Sequence, residues 1–234
     1  MKTIGLIGGM SWESSLEYYR IINEEVKDRL GGFHSAKCIM YSFDFDEIVL
    51  LQQQNKWEEL TNKMIEAGQR LNISGADFIV MCSNTMHIMA HDIASNTGIR
   101  VLHIAEATGE EILRKGMKKV GLIGTKFTME GNFFKKVLKD KYNIEVIIPE
   151  DEEREIIHNV IYNELCKGQI NVKSKEKFIK IINNLALKDV EGVILGCTEM
   201  PLLLGQQDVK IKIFDSTRIH AVSAVSLALQ DYGL

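Results

Sequence analysis

The chain has 234 residues, 45% of them apolar, and a formal net charge of −4, so it can bury the core of one large or two small domains. Its basic residues are scattered, which excludes the clustered positive patch of a nucleic-acid-binding surface. No apolar run approaches the roughly 18 residues of a membrane span, and no signal-type segment precedes the first strand-like residues. We therefore expect a cytoplasmic protein whose four well-separated cysteines are reduced and form neither disulfides nor a zinc site.

Short apolar runs alternate along the chain with stretches of helical period, which predicts parallel sheets flanked by helices. The apolar runs lie at residues 3–7, 38–43, 77–82, 100–104, 119–123, 144–148, 191–195 and 211–214. The helical patterns cover residues 12–30, 57–72, 86–96, 106–116, 129–141, 152–167, 174–188 and 217–231. In the first of these, Trp12, Leu16, Tyr19 and Ile22 recur at steps of three to four residues, and we expect that face to pack on a sheet.

Two segments of the first half recur in the second half. The motif that begins at Met1 returns at Met117, a displacement of 116 positions, and residues 76–86 match residues 190–200, a displacement of 114. The second match sets Ser83 opposite Cys197. The repeat predicts an α/β fold of two pseudo-symmetric parallel-sheet domains with the active site in the cleft between them.

The domain boundaries follow from a third, weaker match between residues 101–104 and residues 211–214. This match suggests that the last strand and helix return to complete the first domain. We therefore expect a first domain of residues 1–98 plus 206–234 and a second domain of residues 99–205.

Polar loops follow four of the predicted strands, where parallel α/β sheets bind their ligands and where helix N-termini present N–H groups to anions. These loops are residues 8–11, 82–85, 124–128 and 196–199. The glycines at positions 5, 8 and 9 do not have the G-x-G-x-x-G spacing, so the first loop does not predict a dinucleotide site.

Cys197 is the strongest candidate for chemistry in these loops. Because it follows a buried strand and precedes a helix, the positive helix end should favour its thiolate, which could act as a base or a nucleophile. The alternative is that Cys197 is a small buried apolar residue. Asn84, Thr85 and Thr125 could contact a ligand, cap a helix or do both, and His87 could orient its loop or be a packed bystander.

The chain resembles the aspartate/glutamate racemase family in four segments. They are Gly8-Gly9-Met10-Ser11-Trp12-Glu13-Ser14, Ser83-Asn84-Thr85-Met86-His87, Gly124-Thr125 and Gly196-Cys197-Thr198-Glu199. The resemblance implies a homodimer that inverts the α-carbon of an amino acid, usually an acidic one, without a cofactor or metal. In such a reaction one group removes the α-proton from one face while the opposite group delivers a proton to the other face.

The sequence departs from the family pattern at one catalytic position, because Ser83 stands where the first cysteine belongs. A serine hydroxyl is too weak an acid to ionise without an activating base, so we expect Cys197 to be the competent base and Ser83 to pass a proton. We also expect contacts to the substrate from the loops and, by resemblance to the family, from one residue before the second helical stretch. These candidates are Met10, Ser11, Gln52, Asn84, Thr85, Thr125, Thr198 and Glu199.

Substrate choice and reaction class stay open at this stage. Residues 43–54 contain no Arg or Lys to clamp a distal carboxylate, so aspartate, glutamate or a wider range of amino acids would fit. One thiol could also serve hydantoin racemisation or decarboxylation of a malonate-like acid. A two-lobed amino-acid-binding protein without catalysis is the alternative from another class.

Overall fold

A computed structural model describes residues 1–232 of the chain. The chain divides into two compact units. The first unit comprises Met1–His103 and the chain from His220 onward, and the second comprises Ile104–Ile219. Residues 233 and 234, which the sequence assigns to the first domain, lie outside the described residues.

The first unit is built on a four-stranded parallel sheet with the order β2-β1-β3-β4. Its strands are β1 (Ile4–Gly8), β2 (Cys38–Ser42), β3 (Phe78–Met81) and β4 (Arg100–Val101). Its helices are α1 (Trp12–Leu30), α2 (Phe45–Gln53), α3 (Trp57–Ile73), a 3-10 helix (Thr85–Met89) and α4 (Ala90–Thr97). Strands β1 and β3 are buried along their whole length, as expected for the inner strands of a sheet covered on both faces.

The second unit repeats this plan with a parallel sheet of order β6-β5-β7-β8. Its strands are β5 (Lys119–Gly124), β6 (Glu145–Ile147), β7 (Gly192–Gly196) and β8 (Lys212–Asp215). Its helices are α5 (Ile104–Arg114), α6 (Lys126–Glu130), α7 (Asn132–Tyr142), α8 (Asp151–Asn163), a 3-10 helix (Leu165–Lys167), α9 (Val172–Ala186), α10 (Met200–Leu203) and a 3-10 helix (Gln206–Asp208). The final helix, α11 (Ser216–Leu229), crosses the boundary between the units. The predicted fold class, α/β with two similar parallel sheets, is confirmed.

The predicted domain boundaries differ from the two units at the strands that end each sheet. Strand β4 pairs with β3 through Phe78 and Arg100, and strand β8 pairs with β7 through Gly192 and Lys212. Residues 99–103 therefore belong to the first unit and residues 212–215 to the second, the reverse of the expected assignment. Similarity between two short apolar runs does not show which neighbouring strand each run pairs with. In the structure, Phe214 of β8 packs in the core of the second unit and holds that strand there.

Helix α1 also differs from its predicted orientation. Its buried face carries Tyr18 and Ile22, while Trp12, Leu16 and Tyr19 are 65%, 56% and 48% exposed. Apolar residues occupy more than one face of this helix, so a repeat of three to four residues does not by itself reveal which face meets the sheet. The expectation that Trp12, Leu16 and Tyr19 pack on the sheet was wrong.

Each sheet has an apolar cluster on both of its faces. In the first unit, one cluster joins the sheet to α1 and to the second half of α11, and the other joins it to α2, α3 and α4. In the second unit, one cluster involves α5 and α7, and the other involves α8, α9 and α10. Among the helices of residues 1–232, none is both long and apolar enough to span a membrane.

Candidate active site

The loop that follows β1 is held by hydroxyl groups. Gly9 has φ +81, and a Cβ at this position would lie 2.2 Å from the Phe43 carbonyl oxygen, so only glycine fits the turn. The Ser11 hydroxyl accepts a hydrogen bond from the backbone N–H of Ser14 at 3.3 Å and caps α1. The Ser15 hydroxyl accepts from the Gly9 N–H at 2.8 Å and donates to the Ser11 carbonyl at 3.1 Å. Ser11 thus has a capping role in the first unit.

The loop that follows β5 has the same construction 114 positions later. The Thr125 hydroxyl caps α6 by accepting from the Thr128 N–H at 3.2 Å. The two threonine hydroxyl oxygens are 3.2 Å apart, and those of Ser11 and Ser14 are 3.0 Å apart. The internal repeat therefore preserves a pair of buried hydroxyl groups at the start of the helix that follows the first strand of each unit.

The loop that follows β3 carries Ser83 between two buried neighbours. Cys82 lies wholly inside the core that α1 and α11 cover, where burial raises the pKa of its thiol. Ser83 is part-buried, whereas Asn84 and Thr85 are buried beside it. Successive side chains of an extended segment alternate between faces, which accounts for the different environments of Cys82 and Ser83.

His87 holds the Ser83 backbone. Its Nδ1 atom lies 2.7 Å from the Ser83 carbonyl oxygen, and because a carbonyl can only accept, Nδ1 carries the hydrogen. The Nε2 atom of His87 is buried and has no hydrogen-bond partner within residues 1–232. Burial, with smaller contributions from His103 and His220, holds the pKa of His87 well below its ordinary value, so the ring is neutral.

His87 belongs to a cluster of rings in the first unit, in which His87 and His220 are buried and His103 is part-buried. Its ring centroid is 5.0 Å from that of His103 and 5.3 Å from that of His220. His220 Nε2 donates to the Leu102 carbonyl at 2.9 Å, so its Nδ1 accepts from the Tyr18 hydroxyl at 2.8 Å. Burial lowers the pKa of His220 to about 3. This cluster could not be predicted from sequence, because Tyr18 and His220 are 202 positions apart.

The loop that follows β7 pairs Cys197 with a carboxylate. The Cys197 thiol, 7% exposed, donates to Oε2 of Glu199 at 3.0 Å. The Thr198 hydroxyl donates to the same oxygen at 2.6 Å, and Glu199 is 4% exposed. Burial is the main cause that raises the pKa of Cys197 well above its ordinary value, and the negative charge of Glu199 raises it further.

This environment contradicts the expected thiolate-favouring helix end at Cys197. The helix that follows, α10, has only four residues and starts at Met200. A helix of one turn provides few aligned peptide dipoles, whereas the Glu199 carboxylate is in hydrogen-bond contact with the sulfur. Desolvation and like charge both favour the protonated form, so the expectation of a lowered pKa was wrong and the resting group is a thiol.

Gln52 and Met10 are both buried in the first unit. Gln52 lies on α2, a helix that the sequence analysis missed although its signals were present. The Asp44 carboxylate caps this helix by accepting from the Asp46 N–H at 3.1 Å, and the first turn is acidic, a typical N-terminal pattern. Met10 packs with Ile48 of the same helix in one apolar cluster.

Each unit gathers its own candidates at the carboxyl edge of its sheet. In the first unit β1 and β3 are paired neighbours, so the loops after them emerge side by side, and the same holds for β5 and β7 in the second unit. The first edge carries Met10, Ser11, Ser83, Asn84 and Thr85, and the second carries Thr125, Cys197, Thr198 and Glu199. Within the described part of the chain, no group of three or more His, Cys, Asp or Glu side chains could hold a metal ion.

Comparison with known proteins identifies the family. The model of the Asp/Glu/hydantoin racemase family matches residues 7–224. The crystal structure of a candidate Asp/Glu racemase from Yersinia pestis is 47% identical and has a TM-score of 0.92, with 98% of this chain and 100% of that chain covered. An aspartate racemase homologue from Pyrococcus horikoshii OT3 is 38% identical with a TM-score of 0.84, covering 97% of this chain and 99% of that chain.

A curated relative points to the same family. The broad specificity amino-acid racemase RacX of Bacillus subtilis (strain 168) is 26% identical over 172 residues, which are 74% of each chain. The chain belongs to the Asp/Glu/hydantoin racemase family and is an isomerase of the racemase class.

Proposed function

We propose that the protein is a cofactor-independent racemase of aspartate and/or glutamate, in which Cys197 and Ser83 act on opposite faces of the substrate α-carbon. The observation that carries the proposal is the equivalence of these two residues. Each follows the third strand of its own sheet, and they are 114 positions apart, like the Ser11 and Thr125 caps. The proposal requires both loops to reach one bound substrate.

The reaction needs help for the carbanion as well as a base. Removing the α-proton places negative charge beside the substrate carboxylate, so several donors must hold that carboxylate. We assign this task to the side chains of Asn84 and Thr85 and to backbone N–H groups, including that of Thr198, whose hydroxyl already donates to Glu199. We assign further substrate contacts to the other candidates. Those other candidates are Met10, Ser11, Gln52, Thr125 and Glu199.

Cys197 and Ser83 differ in their ability to remove a proton from the substrate. A thiolate at Cys197 can remove an α-proton, whereas the Ser83 hydroxyl can deliver one, directly or through water, but removes one poorly. The enantiomer whose α-hydrogen faces Cys197 should therefore react faster in single turnovers. The equilibrium between the enantiomers is unaffected, because a catalyst changes rates in both directions alike.

We propose an amino acid as the substrate, with acidic side chains preferred and weak selection among them. The aspartate racemase homologue from Pyrococcus horikoshii supports the acidic class, and the name of RacX supports breadth. Helix α2 carries Gln52, a buried uncharged group. A neutral amide can donate to a distal carboxylate but does not exclude neutral side chains as a guanidinium clamp would.

The decisive experiment follows α-proton loss by NMR in deuterated water, with L- and D-aspartate and L- and D-glutamate and no added cofactor. Wild-type protein should exchange the α-proton, and Cys197→Ala should slow exchange by about 100-fold or more. Cys38→Ala is the matched control, because Cys38 is a part-buried cysteine of β2 outside the loops. Exchange that persists in Cys197→Ala would overturn the mechanism, and binding without exchange would favour a binding protein.

We also propose that the protein is a homodimer, with the exposed face of α1 at the interface. Trp12, Leu16 and Tyr19 form an apolar stripe on one side of this helix, and exposed apolar stripes of this kind mark association surfaces. Leu16→Glu should convert the dimer to a monomer in light scattering coupled to size exclusion, while the exposed apolar residue Leu187 provides the control Leu187→Glu. A wild-type monomer would contradict the proposal.

The proposed compartment is the cytoplasm. All four cysteines are free thiols in the structure, and thiols without disulfide partners suit a reducing environment. Location of a tagged full-length chain in cell fractions would test this assignment.

A further inference from the structure

The loop after β7 presents a problem for any base role of Cys197. Its thiol is buried and donates to the Glu199 carboxylate at 3.0 Å, and a thiol must lose its proton before it can accept one from carbon. Ionising it to solvent would leave a thiolate and a carboxylate in contact inside the protein. Two negative charges at that distance repel each other strongly, so this doubly charged form is disfavoured.

The hydrogen bond between Cys197 and Glu199 allows the thiol to ionise without adding a second buried charge. If the proton moves from sulfur to Oε2 of Glu199, the pair carries one negative charge before and after the transfer. Burial then penalises both forms, whereas ionisation to solvent would add a second buried charge. Two groups that share one proton titrate as a unit, as in other catalytic pairs with one proton between them.

We propose that Glu199 is the internal proton acceptor that converts Cys197 into its reactive thiolate. This role rests on the proposed function and replaces a substrate-binding role for Glu199. In the first step the S–H bond of Cys197 breaks, an O–H bond forms on Glu199, and the electron pair stays on sulfur. In the second step the thiolate takes the α-proton, and the C–H electron pair stays on the substrate carbon. The Glu199 proton is released to solvent water when the pair returns to its resting form.

The surroundings of Glu199 support this assignment. The Thr198 hydroxyl donates to the same Oε2 atom at 2.6 Å and fixes the carboxylate against the sulfur. Tyr162 and Cys166 from the neighbouring segment also act electrostatically on the pair. Burial raises the pKa of the Tyr162 phenol, and the nearby cysteines and Glu199 raise it further, so Tyr162 stays neutral and adds no negative charge.

The test uses Glu199→Gln, which keeps the shape and removes the acceptor. Two readouts are combined: α-proton exchange in deuterated water, and alkylation of Cys197 by iodoacetamide followed by mass spectrometry of its peptide. We expect exchange to fall by about 100-fold, within the range of general base catalysis, and alkylation to slow as well, because both reactions need the thiolate and the buried thiol has lost the group that accepts its proton. Glu176→Gln on the exposed face of α9 is the matched control.

The opposite result for exchange would overturn the inference. If Glu199 only suppresses ionisation of Cys197, Glu199→Gln should speed alkylation and exchange together. Should Glu199→Gln fail to fold, Glu199→Asp carries the test, because it keeps a carboxylate but withdraws it from the sulfur. Exchange should then fall about tenfold as the proton acceptor moves out of hydrogen-bond contact, and unchanged or faster exchange would overturn the role.

The proposed function and this inference fail in different ways. Exchange that survives Cys197→Ala would remove the thiol mechanism and the role of Glu199 with it. Exchange that Cys197→Ala abolishes but Glu199→Gln leaves intact would remove only the role of Glu199.

Discussion

His87 Nδ1 donates to the carbonyl oxygen of Ser83 at 2.7 Å, so a buried, neutral imidazole fixes the backbone of the residue proposed to act on one face of the substrate. The bond spans four positions and lies where β3 gives way to the 3-10 helix. We infer that His87 is a positioning residue, since its ring reaches the Ser83 backbone and not the Ser83 hydroxyl.

Replacing His87 should therefore impair one face of the reaction more than the other. His87→Leu leaves the Ser83 carbonyl without this donor, and loss of such a bond costs about 1–3 kcal/mol of folding free energy. We expect the ratio of exchange rates for the two enantiomers to change, because only the Ser83 face loses its alignment. NMR of both enantiomers of aspartate gives that ratio.

The companion variant His87→Asn separates positioning from general loss of stability. An asparagine amide can place a nitrogen donor near the position of Nδ1, so it should restore part of the ratio. Equal slowing of both enantiomers in both variants would contradict the positioning role.

A thiol at position 83 should remove the asymmetry of the site. Ser83→Cys introduces a group whose ordinary pKa of about 8.5 allows some thiolate near neutral pH. Exchange of the slower enantiomer should rise by about tenfold or more, since general base catalysis is worth about 100-fold or more, while the faster enantiomer changes little. Ser83→Ala gives the baseline without a proton donor. No gain for the slower enantiomer in Ser83→Cys would count against the assigned role of Ser83.

Much of the fold could be predicted because it depends on local, repeated patterns. All eight strands found within residues 1–232 coincide with apolar runs, and the displacement of 114 positions brought Ser83 and Cys197 into correspondence. The orientation of α1 and the pairing of β8 were harder to predict from sequence. Apolar residues on two faces of α1 concealed which one is buried, and the partner of β8 depends on contacts of Phe214 with distant core residues.

The pKa shift of Cys197 in the candidate site could not be predicted from sequence either. Cys197 and Glu199 are two positions apart in a visible motif, yet the direction of the pKa shift depends on burial and on the 3.0 Å contact. The cluster of His87, His103 and His220 could not be foreseen, because it joins residues that are far apart in the chain.

The mirrored caps should contribute similar stability to the two units. Ser11→Ala and Thr125→Ala each remove a side-chain acceptor for the first turn of a helix, and such a loss costs about 0.5–2 kcal/mol. Denaturant unfolding of both variants measures this cost. A loss in only one of them would show that the two caps are not equivalent.

The buried histidines should make stability depend on pH between about 3 and 6.5. The pKa of His220 is about 3 in the folded protein, whereas an unfolded histidine has a pKa near 6.5. In this window the unfolded chain binds more protons, so the free energy of unfolding rises with pH and falls as the solution is acidified. His220 alone should contribute up to about 1.4 kcal/mol per pH unit, and His87, whose pKa is also well below its ordinary value, acts in the same direction.

Denaturant unfolding at pH 7, 6 and 5 checks this dependence, because ordinary carboxylates change their charge mainly below about pH 5. His220→Gln, which retains an amide donor for the Leu102 carbonyl, should reduce the slope while the Tyr18 hydroxyl keeps an acceptor in the amide oxygen. The exposed residue His34 supplies the control His34→Gln, which should leave the slope unchanged. Equal slopes in wild type and His220→Gln would mean that His220 does not stay neutral in the folded protein.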